Sequence, residues 1–349
     1  MTRFDLQLKH SGSSVRVTDV PQELLMKFGV GLYCLQSTAS TPRHPTVPYR
    51  AVVKDAQYIE SLGYDGLWLS EHHFFYDGYC PALLPVASAA LAATTTLRVG
   101  TGMMLLPLQD AGRVARLSAD IAERSGGRLD VGVGLGYRDV EFDGKGVPRS
   151  ERVARNKLGL AELERVAVPA GATLWSGSAT PKGIARAGAR GHGVLLSGAN
   201  PLSLVRELAA AHREGWEAAG RPGGVRPRVA ALRNVWLTDD KAEQAAALDW
   251  QRASYVLYAG LGWSVAQQES TEAMDFRADV DKAVAQAVAT TISGPAPAVI
   301  EGLHEVAEAG VDDVVFRVII EGAPQQVVNR MLGRLADEVL PEFENVEAA

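Results

Sequence analysis

The sequence lacks several features that would place a protein outside the soluble globular class. Its 349 residues include two cysteines, Cys34 and Cys80, so no disulfide framework is expected. No apolar run reaches the roughly 18 residues of a membrane-spanning helix. The first twenty residues, "MTRFDLQLKHSGSSVRVTDV", contain no apolar core of the kind found in signal peptides. We therefore expect a cytoplasmic protein without membrane association.

An excess of basic residues is also missing. Lys and Arg number 35 against 41 Asp and Glu, which gives a net charge of −6. No basic stripe stands out along the chain, so nucleic acid is not an expected partner. The hydrophobic fraction of 47% and the charged fraction of 22% are ordinary for a globular protein, and the chain is long enough to build a large core.

What the sequence does contain is a regular alternation of short apolar runs and helical patterns. In the stretch 48–65, for example, Val52, Ala56 and Ile59 share one helical face, and Gly63 follows as a helix stop. The predicted strands cover 27–36, 66–70, 97–107, 128–136, 172–176, 193–197, 226–238 and 312–319. The predicted helices cover 48–65, 81–95, 113–127, 150–166, 181–191, 201–220, 239–259, 278–290, 296–309 and 324–339.

Eight strand–helix alternations predict an α/β fold with a parallel sheet, and eight is the number of strands that closes a (β/α)8 TIM barrel. A doubly wound open sheet is the alternative. That fold usually carries a glycine-rich dinucleotide fingerprint at its first strand–helix turn. The first turn here, "LQSTASTPRHP", has none, so the barrel is favoured.

The domain prediction follows from the same pattern. Residues 26–343 are expected to form one barrel domain, interrupted by an irregular loop at about 260–277. Residues 1–25 are polar and aperiodic, and we expect them to be a flexible N-terminal extension. Residues 344–349 are expected to be a C-terminal tail.

A glycine string in the fourth predicted strand, "VGVGLGYRD" at 131–139, invites a nucleotide-binding interpretation. The dinucleotide fingerprint, however, requires GxGxxG opening directly into a helix. Here the spacing is GxGxG inside a strand, and the following "YRDVEFDGKGVP" is predicted to be a loop. Small residues in a barrel strand are better explained as space for a flat ligand or a neighbouring backbone.

The stretch "GLWLSEHHFF", Gly66 to Phe75, places a carboxylate and two adjacent histidines directly after the second predicted strand. In a TIM barrel this end of the strands builds the active site. Three interpretations of Glu71, His72 and His73 stay open: a metal site, a structural histidine pair under a loop, and acid–base catalysis.

A metal site requires further ligands, and the remaining histidines show no recognisable ligand spacing with His72. We therefore expect no metal. A histidine at a barrel mouth can move protons at neutral pH. Because adjacent residues of an extended segment point opposite ways, at most one of the pair faces the centre.

The chain resembles the bacterial luciferase-like flavin-dependent monooxygenases. Four stretches carry the resemblance: "YDGLWLSEHHFFYDGY", "LRVGTGMMLLPLQDAGRVA", "RSGGRLDVGVGLGYRDVEFDGKGVPRSER" and "ISGPAPAVIEGLHEVAEAGVDDVVF". Their order and spacing match from about Met26 to Phe343, and "MKFGVGLY" at 26–33 is similar to the family's usual chain start.

The resemblance implies a (β/α)8 barrel that binds reduced FMN (FMNH2) across its mouth and uses O2, through a C4a-hydroperoxyflavin, to oxidise a small organic substrate. It implies His72 as the catalytic histidine, with Glu71 orienting or charge-balancing the pair. A non-prolyl cis peptide is implied at Gly102–Met103. The implied cofactor-binding residues are Gly102, Met103, Glu141, Arg152, Gly177, Ser178 and Thr180. The implied substrate walls are Leu32, Tyr33, Trp68, Phe75 and Tyr79, with Tyr255 or Tyr258 as additions.

Further expectations concern partners. No nicotinamide fingerprint is present, so a separate flavin reductase would supply the reduced flavin. Relatives dimerise through helices flanking the second and third strands, and the apolar segment 81–95 predicts a homodimer here.

Two alternatives stay open: a dehydrogenase of the same fold dependent on F420 or FMN, and a flavin-binding barrel without catalysis. One departure from the family concerns the segment between Arg152 and the fifth strand. It lacks about 20 residues that relatives carry there, which leaves the shape of the substrate mouth open.

Overall fold

A computed structural model describes residues 5–7, 14–16, 26–33, 35, 46–75, 79–220, 226–260, 276–320 and 322–344. Numbered along the chain, the strands are β1 (Asp5–Gln7), β2 (Ser14–Arg16), β3 (Lys27–Tyr33), β4 (Gly66–Leu69), β5 (Arg98–Thr101), β6 (Met104–Leu105), β7 (Leu129–Gly134), β8 (Thr173–Ser176), β9 (Gly193–Leu196), β10 (Val229–Arg233), β11 (Val235–Leu237), β12 (Ile292–Gly294) and β13 (Asp313–Arg317).

The helices surround the strands and alternate with them in sequence. They are α1 (Thr46–Ser61), α2 (Leu83–Ala92), α3 (Ala111–Arg124), α4 (Asp139–Gly144), α5 (Arg152–Val166), α6 (Pro181–Arg190), α7 (Leu202–Ala218), α8 (Lys241–Gly260), α9 (Phe276–Ala289), α10 (Ala296–Glu308), α11 (Gln325–Glu338) and α12 (Pro341–Glu344). Short 3-10 turns cover Leu106–Leu108 and Arg149–Glu151.

The strands form a closed parallel barrel. Their order in the sheet is β5, β4, β3, β13, β10, β9, β8, β7, β6, and pairing of β5 with β7 closes the ring. Strands β5 and β6 occupy one barrel position in succession, so the barrel has eight positions. The predicted (β/α)8 fold is confirmed.

The barrel interior is filled beneath the mouth by two tryptophans. Trp68 of β4 and Trp175 of β8 meet edge to face with ring centroids 5.3 Å apart, and both are buried. A Cβ atom on Gly100 would lie 2.5 Å from the Trp68 ring, so only glycine leaves room for it. These rings close the lower barrel, and the upper end of the strands is left to form a site.

Three segments differ from the sequence predictions. The seventh predicted strand ends at Arg233, after which β11 leaves the barrel and pairs in parallel with β12. The segment after β7, predicted to be a loop, contains the helix α4. Within the predicted extension 1–25, β1 and β2 pair antiparallel, from Asp5 with Arg16 to Gln7 with Ser14.

Parts of other predictions lie outside the described residues. Most of the predicted irregular loop at 260–277 and the predicted tail at 344–349 fall there. Among the helices that the structure describes, none combines the length and apolar character needed to cross a membrane.

Candidate active site

The candidate site lies at the C-terminal end of the barrel strands, where TIM-barrel enzymes place their chemistry. Strand β4 ends at Leu69 and runs directly into Ser70, Glu71, His72 and His73. All four are buried, and His72 is 7% exposed. Strong burial of four consecutive polar residues requires a hydrogen-bond partner for each.

His72 is held by a carboxylate from another strand–helix unit. Its Nδ1 lies 2.9 Å from Oε1 of Glu141, which is fully buried on α4. The same oxygen accepts the backbone N–H of His73 at 2.8 Å, and the Arg138 guanidinium lies 3.4 Å away. Burial opposes ionisation of Glu141, but these contacts outweigh it and lower its pKa.

The protonation pattern of His72 follows from this pairing. An ionised Glu141 accepts a hydrogen bond, so Nδ1 of His72 carries the proton. Nε2 is then the nitrogen that can accept or release a proton, and it lies 3.3 Å from the hydroxyl of Tyr137. Burial, followed by nearby Tyr258 and Glu141, raises the pKa of Tyr137, which keeps that hydroxyl protonated at neutral pH.

His73 turns to a different carboxylate. Its Nε2 lies 2.6 Å from Oε1 of Glu71, and that oxygen also accepts the side-chain amide of Gln109 at 2.8 Å. The two adjacent histidines therefore have separate partners. Of the histidine pair that Glu71 was expected to orient or charge-balance, Glu71 contacts His73, and Glu141 contacts His72.

Aromatic rings enclose His72. The ring centroid of Phe75 stacks at 5.4 Å, while Tyr79 at 4.9 Å and Tyr137 at 5.6 Å approach edge-on. The Tyr79 hydroxyl lies 2.7 Å from the hydroxyls of both Ser70 and Tyr258. These aromatic rings and phenol hydroxyls around His72 are called the chamber below.

Two arginines at this chamber were not predicted from the sequence. The guanidinium of Arg138 lies 4.4 Å from the Phe75 ring centroid and donates to the backbone oxygen of His73 at 3.0 Å. Arg138 lies three residues before Glu141, a spacing that brings two side chains to one face of a helix. The pairing was missed because this segment was predicted to be a loop.

The second arginine, Arg317, ends β13 and lies 4.8 Å from the Tyr255 ring and 5.6 Å from the Tyr258 ring. It donates to Ser254 at 2.6 Å and to Asn234 at 3.2 Å. No local sequence signal marked this residue, because its partners come from α8 and from the end of β10.

The floor of the mouth contains the predicted cis peptide bond. Gly102–Met103 is cis, and Gly31–Leu32, which was not predicted, is cis as well. Leu32 contacts the apolar cluster of the barrel interior, and a Cβ atom on Gly102 would lie 3.3 Å from the Leu32 side chain. The two bonds therefore lie near the ends of β3 and β5, the strands on either side of β4.

The glycine string has a physical explanation in Met103. Cβ atoms on Gly134 and Gly177 would lie 3.2 Å and 3.1 Å from the Met103 side chain. A Cβ atom on Gly132 would lie 2.0 Å from the backbone oxygen of Thr101. The glycines leave room for a neighbouring strand and for Met103, as expected of small residues in a barrel strand.

The segment that contains the predicted cofactor-binding residues Gly177, Ser178 and Thr180 precedes α6. Thr180 caps this helix, its hydroxyl accepting the backbone N–H of Gly183 at 3.2 Å. A Cβ atom on Gly183 would lie 2.1 Å from Oγ of Ser178, so the serine hydroxyl sits directly against the first helical turn. Hydroxyls and free backbone N–H groups at a helix start favour an anion.

Three predicted site residues are located away from the chamber. Trp68 lies in the closed barrel interior, so it is a core residue rather than a substrate wall. Tyr33 is buried in the layer between barrel and helices, where burial and the nearby Asp55 raise its pKa. Arg152 donates to the backbone oxygen of Arg149 at 3.3 Å, at the start of α5.

The metal interpretation gains no support from the described residues, which contain no group of three His, Cys, Asp or Glu side chains able to hold an ion.

Comparisons with known proteins agree with this geometry. The sequence model of the luciferase-like monooxygenase family matches residues 26–157 and 160–336. The uncharacterized protein y4vJ of Sinorhizobium fredii is 28% identical over 244 residues. The matched region covers 61% of this chain and 66% of that protein, just under two thirds of its length. The 4-hydroxyprotoasukamycin monooxygenase of Streptomyces nodosus subsp. asukaensis is 24% identical over 82% of this chain and 85% of its own.

Solved structures share the fold. The crystal structure of monooxygenase RslO1 from Streptomyces bottropensis has a TM-score of 0.72 and 23% identity, covering 91% of this chain and 100% of that one. The oxygenating constituent of 3,6-diketocamphane monooxygenase from Pseudomonas putida was solved with FMN. It has a TM-score of 0.71 and 15% identity, covering 91% of this chain and 98% of that one. The F420-dependent tetrahydromethanopterin reductase of Methanopyrus kandleri has a TM-score of 0.65 and 17% identity, covering 91% of this chain and 99% of that one.

Proposed function

The chain belongs to the luciferase-like monooxygenase family, and we propose that it is a flavin-dependent monooxygenase that oxidises a small organic substrate with O2 and reduced FMN. The observation that carries the proposal is the pairing of His72 with the ionised Glu141 inside an aromatic chamber at the barrel mouth. A histidine so oriented presents one titratable nitrogen, Nε2, toward the chamber.

The residues at the mouth fit a flavin. Leu32 and Met103 supply an apolar floor for a flat ring system. The start of α6, with the hydroxyls of Ser178 and Thr180, supplies donors for the phosphate. Gly177 comes directly after β8, between these two regions, and its backbone N–H donates a hydrogen bond to the backbone oxygen of Val133. When bound, reduced flavin would supply the electrons that activate O2.

The chain's own residues would handle protons and exclude water. Nε2 of His72 would take or give a proton at the reacting centre, while Glu141 holds the ring and balances a positive charge on it. Tyr137 would accept a hydrogen bond from the protonated ring or donate one to the neutral ring. Phe75 and Tyr79 would cover the substrate.

A separate reductase would deliver the reduced flavin, because the residues that we assign to the site hold one flat cofactor and no nicotinamide.

A homodimer through α2 is part of the same proposal. The exposed residues of this helix are small: Pro85, Ser88, Ala89 and Ala92. A flat surface of small side chains permits close approach of a second copy.

A second candidate is hydride transfer with coenzyme F420, since a reductase of this fold dependent on F420 is a structural neighbour. The long acidic tail of that coenzyme would need cations at the rim. Lys145 is exposed there, whereas Arg149 is already paired with Asp139 at 2.8 Å. The rim therefore favours FMN.

Mixing the purified protein with photoreduced FMN and air-saturated buffer in a stopped-flow instrument tests the proposal. A monooxygenase would alter the rate and spectrum of flavin reoxidation relative to free FMNH2 and would consume O2 with substrate. Reduced F420 with an anaerobic acceptor is the parallel arm. Turnover in that arm alone would favour the dehydrogenase, and no change in either arm would favour a non-catalytic flavin-binding barrel.

A further inference from the structure

Arg138 is a buried cation beside the proposed catalytic histidine, and it has no assigned role in the proposed reaction. It is the N-cap residue of α4, and its side chain is 9% exposed. Arginine is seldom buried this far, because removing a charge from water is costly unless partners compensate it. The contacts of Arg138 therefore indicate what its charge stabilises.

The guanidinium has three contacts, and each one reaches a neighbour of His72. Nη1 donates to the backbone oxygen of His73 at 3.0 Å and lies 3.4 Å from Oε1 of Glu141. That oxygen is the one paired with Nδ1 of His72. The guanidinium carbon lies 4.4 Å from the centroid of the Phe75 ring, which stacks on the His72 ring at 5.4 Å. Through these three groups, Arg138 bears on the position of the His72 ring.

Oε1 of Glu141 is shared between a permanent cation and a histidine that can become one. Glu141 is fully buried, so water screens neither interaction effectively. Burial opposes its ionisation, but the hydrogen bonds from His72 and His73 and the charge of Arg138 outweigh burial and lower its pKa. The carboxylate is therefore ionised, and Arg138 already offsets its charge while His72 is neutral.

A proton added to His72 would bring a second positive charge to this one carboxylate. Nδ1 of His72 and Nη1 of Arg138 contact the same oxygen, at 2.9 Å and 3.4 Å, so the two nitrogens are separated by no more than the sum of these distances. Glu141 favours protonation of the ring, and Arg138 opposes it, because like charges repel. The two residues thus have opposite effects on the same histidine.

The other titratable side chains that face His72 are three phenols: Tyr79, Tyr137 and Tyr258. A phenol is uncharged at neutral pH. On the same segment as His72, Glu71 and His73 pair with each other. Among the described residues that these contacts place around the His72 ring, Arg138 supplies the permanent positive charge and Glu141 the negative charge paired with the ring.

We propose that Arg138 is a positioning residue for the reaction: it fixes the Glu141 carboxylate against His72 and opposes protonation of the ring, so that Nε2 stays available as a proton acceptor. This role rests on the proposed function of His72, whereas the contacts behind it do not. An arginine with a purely structural role would join the segment after β4 to α4 without changing how readily the ring takes a proton.

An NMR titration of the histidine rings in the full-length protein tests this role without a substrate. The chain has seven histidines, so isotope-labelled histidine gives few signals, and His72→Ala identifies the signal of His72. Arg138→Met removes the cation and should move the titration midpoint of His72 up by about one pH unit. Glu141→Gln removes the anion and should move the midpoint down. Opposite shifts distinguish an effect of charge from a general disturbance of the site.

Arg138→Lys and Arg149→Met are the matched controls. Lysine keeps the charge but not the planar fork, so the midpoint of His72 should stay close to that of the original protein even where the melting temperature falls. Arg149 pairs with Asp139 and is more exposed, so its loss should leave the midpoint unchanged. If Arg138→Met does not fold, Arg138→Gln carries the same prediction, because glutamine is uncharged and can still donate to a backbone oxygen.

An unshifted midpoint in folded Arg138→Met, or an equal shift in Arg138→Lys, would overturn the role and leave Arg138 as a structural contact. Turnover with reduced FMN and O2 is measured separately. With His72 as the proton acceptor, the acidic limb of the pH profile should move in Arg138→Met in the same direction as the NMR midpoint. A shifted midpoint in a protein without monooxygenase activity would support the charge effect of Arg138 and count against the proposed function instead.

Discussion

His72 and Glu141 are 69 residues apart in the sequence, yet Nδ1 of the histidine and Oε1 of the glutamate lie 2.9 Å apart in the folded chain. Glu141 is therefore positioned to act on the proposed catalytic residue. His73, the immediate neighbour of His72, is held by Glu71 instead. Two histidine–carboxylate pairs side by side allow the roles of the histidines to be separated experimentally.

The first prediction concerns these carboxylates. Glu141→Gln keeps the shape of the side chain but removes the charge that balances a protonated His72. We expect turnover to fall by roughly 10- to 100-fold, as for the loss of partners that orient functional histidines. FMN affinity should stay within a few-fold. Glu71→Gln is the matched control, and an equal fall in turnover in both variants would argue against the assignment.

The second prediction concerns the histidines themselves. His72→Ala should lower turnover by about 10²–10⁴, the usual contribution of a general acid or base, with FMN affinity within a few-fold. His73→Ala should act mainly on stability, because it leaves the buried Glu71 carboxylate with fewer partners. Steady-state turnover, flavin titration and thermal unfolding of both variants provide the comparison. Full activity in His72→Ala would defeat the proposed role.

The third prediction concerns the cofactor phosphate. A Cβ atom at position 183 would collide with the Ser178 hydroxyl. Gly183→Ala should therefore displace that hydroxyl from the start of α6. We expect this variant to weaken FMN binding and to leave riboflavin, which has no phosphate, almost unchanged. Arg152→Ala should show the same selectivity, because the family resemblance assigns this arginine to the cofactor. Fluorescence titration with both ligands measures the difference, and equal losses would exclude a phosphate site here.

The fourth prediction concerns assembly through α2. In the single chain, the helix buries its larger side chains and exposes Pro85, Ser88, Ala89 and Ala92. Ala89→Glu should place a charge in the proposed dimer interface and shift the protein toward a monomer. Ala242→Glu, on the exposed start of α8, is the control. Light scattering at micromolar concentration reports the mass, and a monomeric original protein would refute the dimer.

The fifth prediction concerns stability in acid. One carboxylate oxygen of Glu60 accepts the backbone N–H groups of Thr95, Thr96 and Leu97 at 2.6–2.9 Å. Burial alone would raise the pKa of Glu60, but these hydrogen bonds outweigh it and lower the pKa to about 2. Because the pKa is lower in the folded state, the ionised form stabilises the fold above the unfolded-state pKa of about 4.3.

That contribution should disappear as the pH falls from about 4.3 toward 2. Glu60→Gln should cost about 1 kcal/mol at pH 6, the low end for a charged hydrogen bond at a solvent-accessible side chain. The cost should be smaller near pH 3. Urea unfolding at both pH values measures it, with Glu207→Gln on the exposed face of α7 as the control. A cost independent of pH would contradict the charge argument.

Much of the barrel could be predicted from local patterns. Helix α1 was expected because Val52, Ala56 and Ile59 recur at helical spacing, and all three are buried against the barrel. Strand β10 was predicted too long, because "RNVWL" continues the apolar pattern without a break after Arg233. A propensity pattern does not reveal that Val235 pairs with Ile292 instead of a barrel neighbour.

The candidate site was predictable in part. Its place followed from chain order, since Glu71 to His73 come directly after a buried strand. The partner of His72 did not follow, because α4 was mistaken for a loop and Glu141 was assigned to the cofactor. Tyr33 was assigned to the mouth, although the alternation along β3 turns it outward and Leu32 inward.

The sequence by itself determined the alternation of strands and helices, and with it the barrel and the end of the barrel that carries the site. These properties depend on residues near one another in the chain, whose spacing sets local backbone geometry. Only the tertiary structure decided which carboxylate holds which histidine and which tyrosines enclose them. Such contacts join residues far apart in sequence, and their energies depend on burial and distance, which no local pattern encodes.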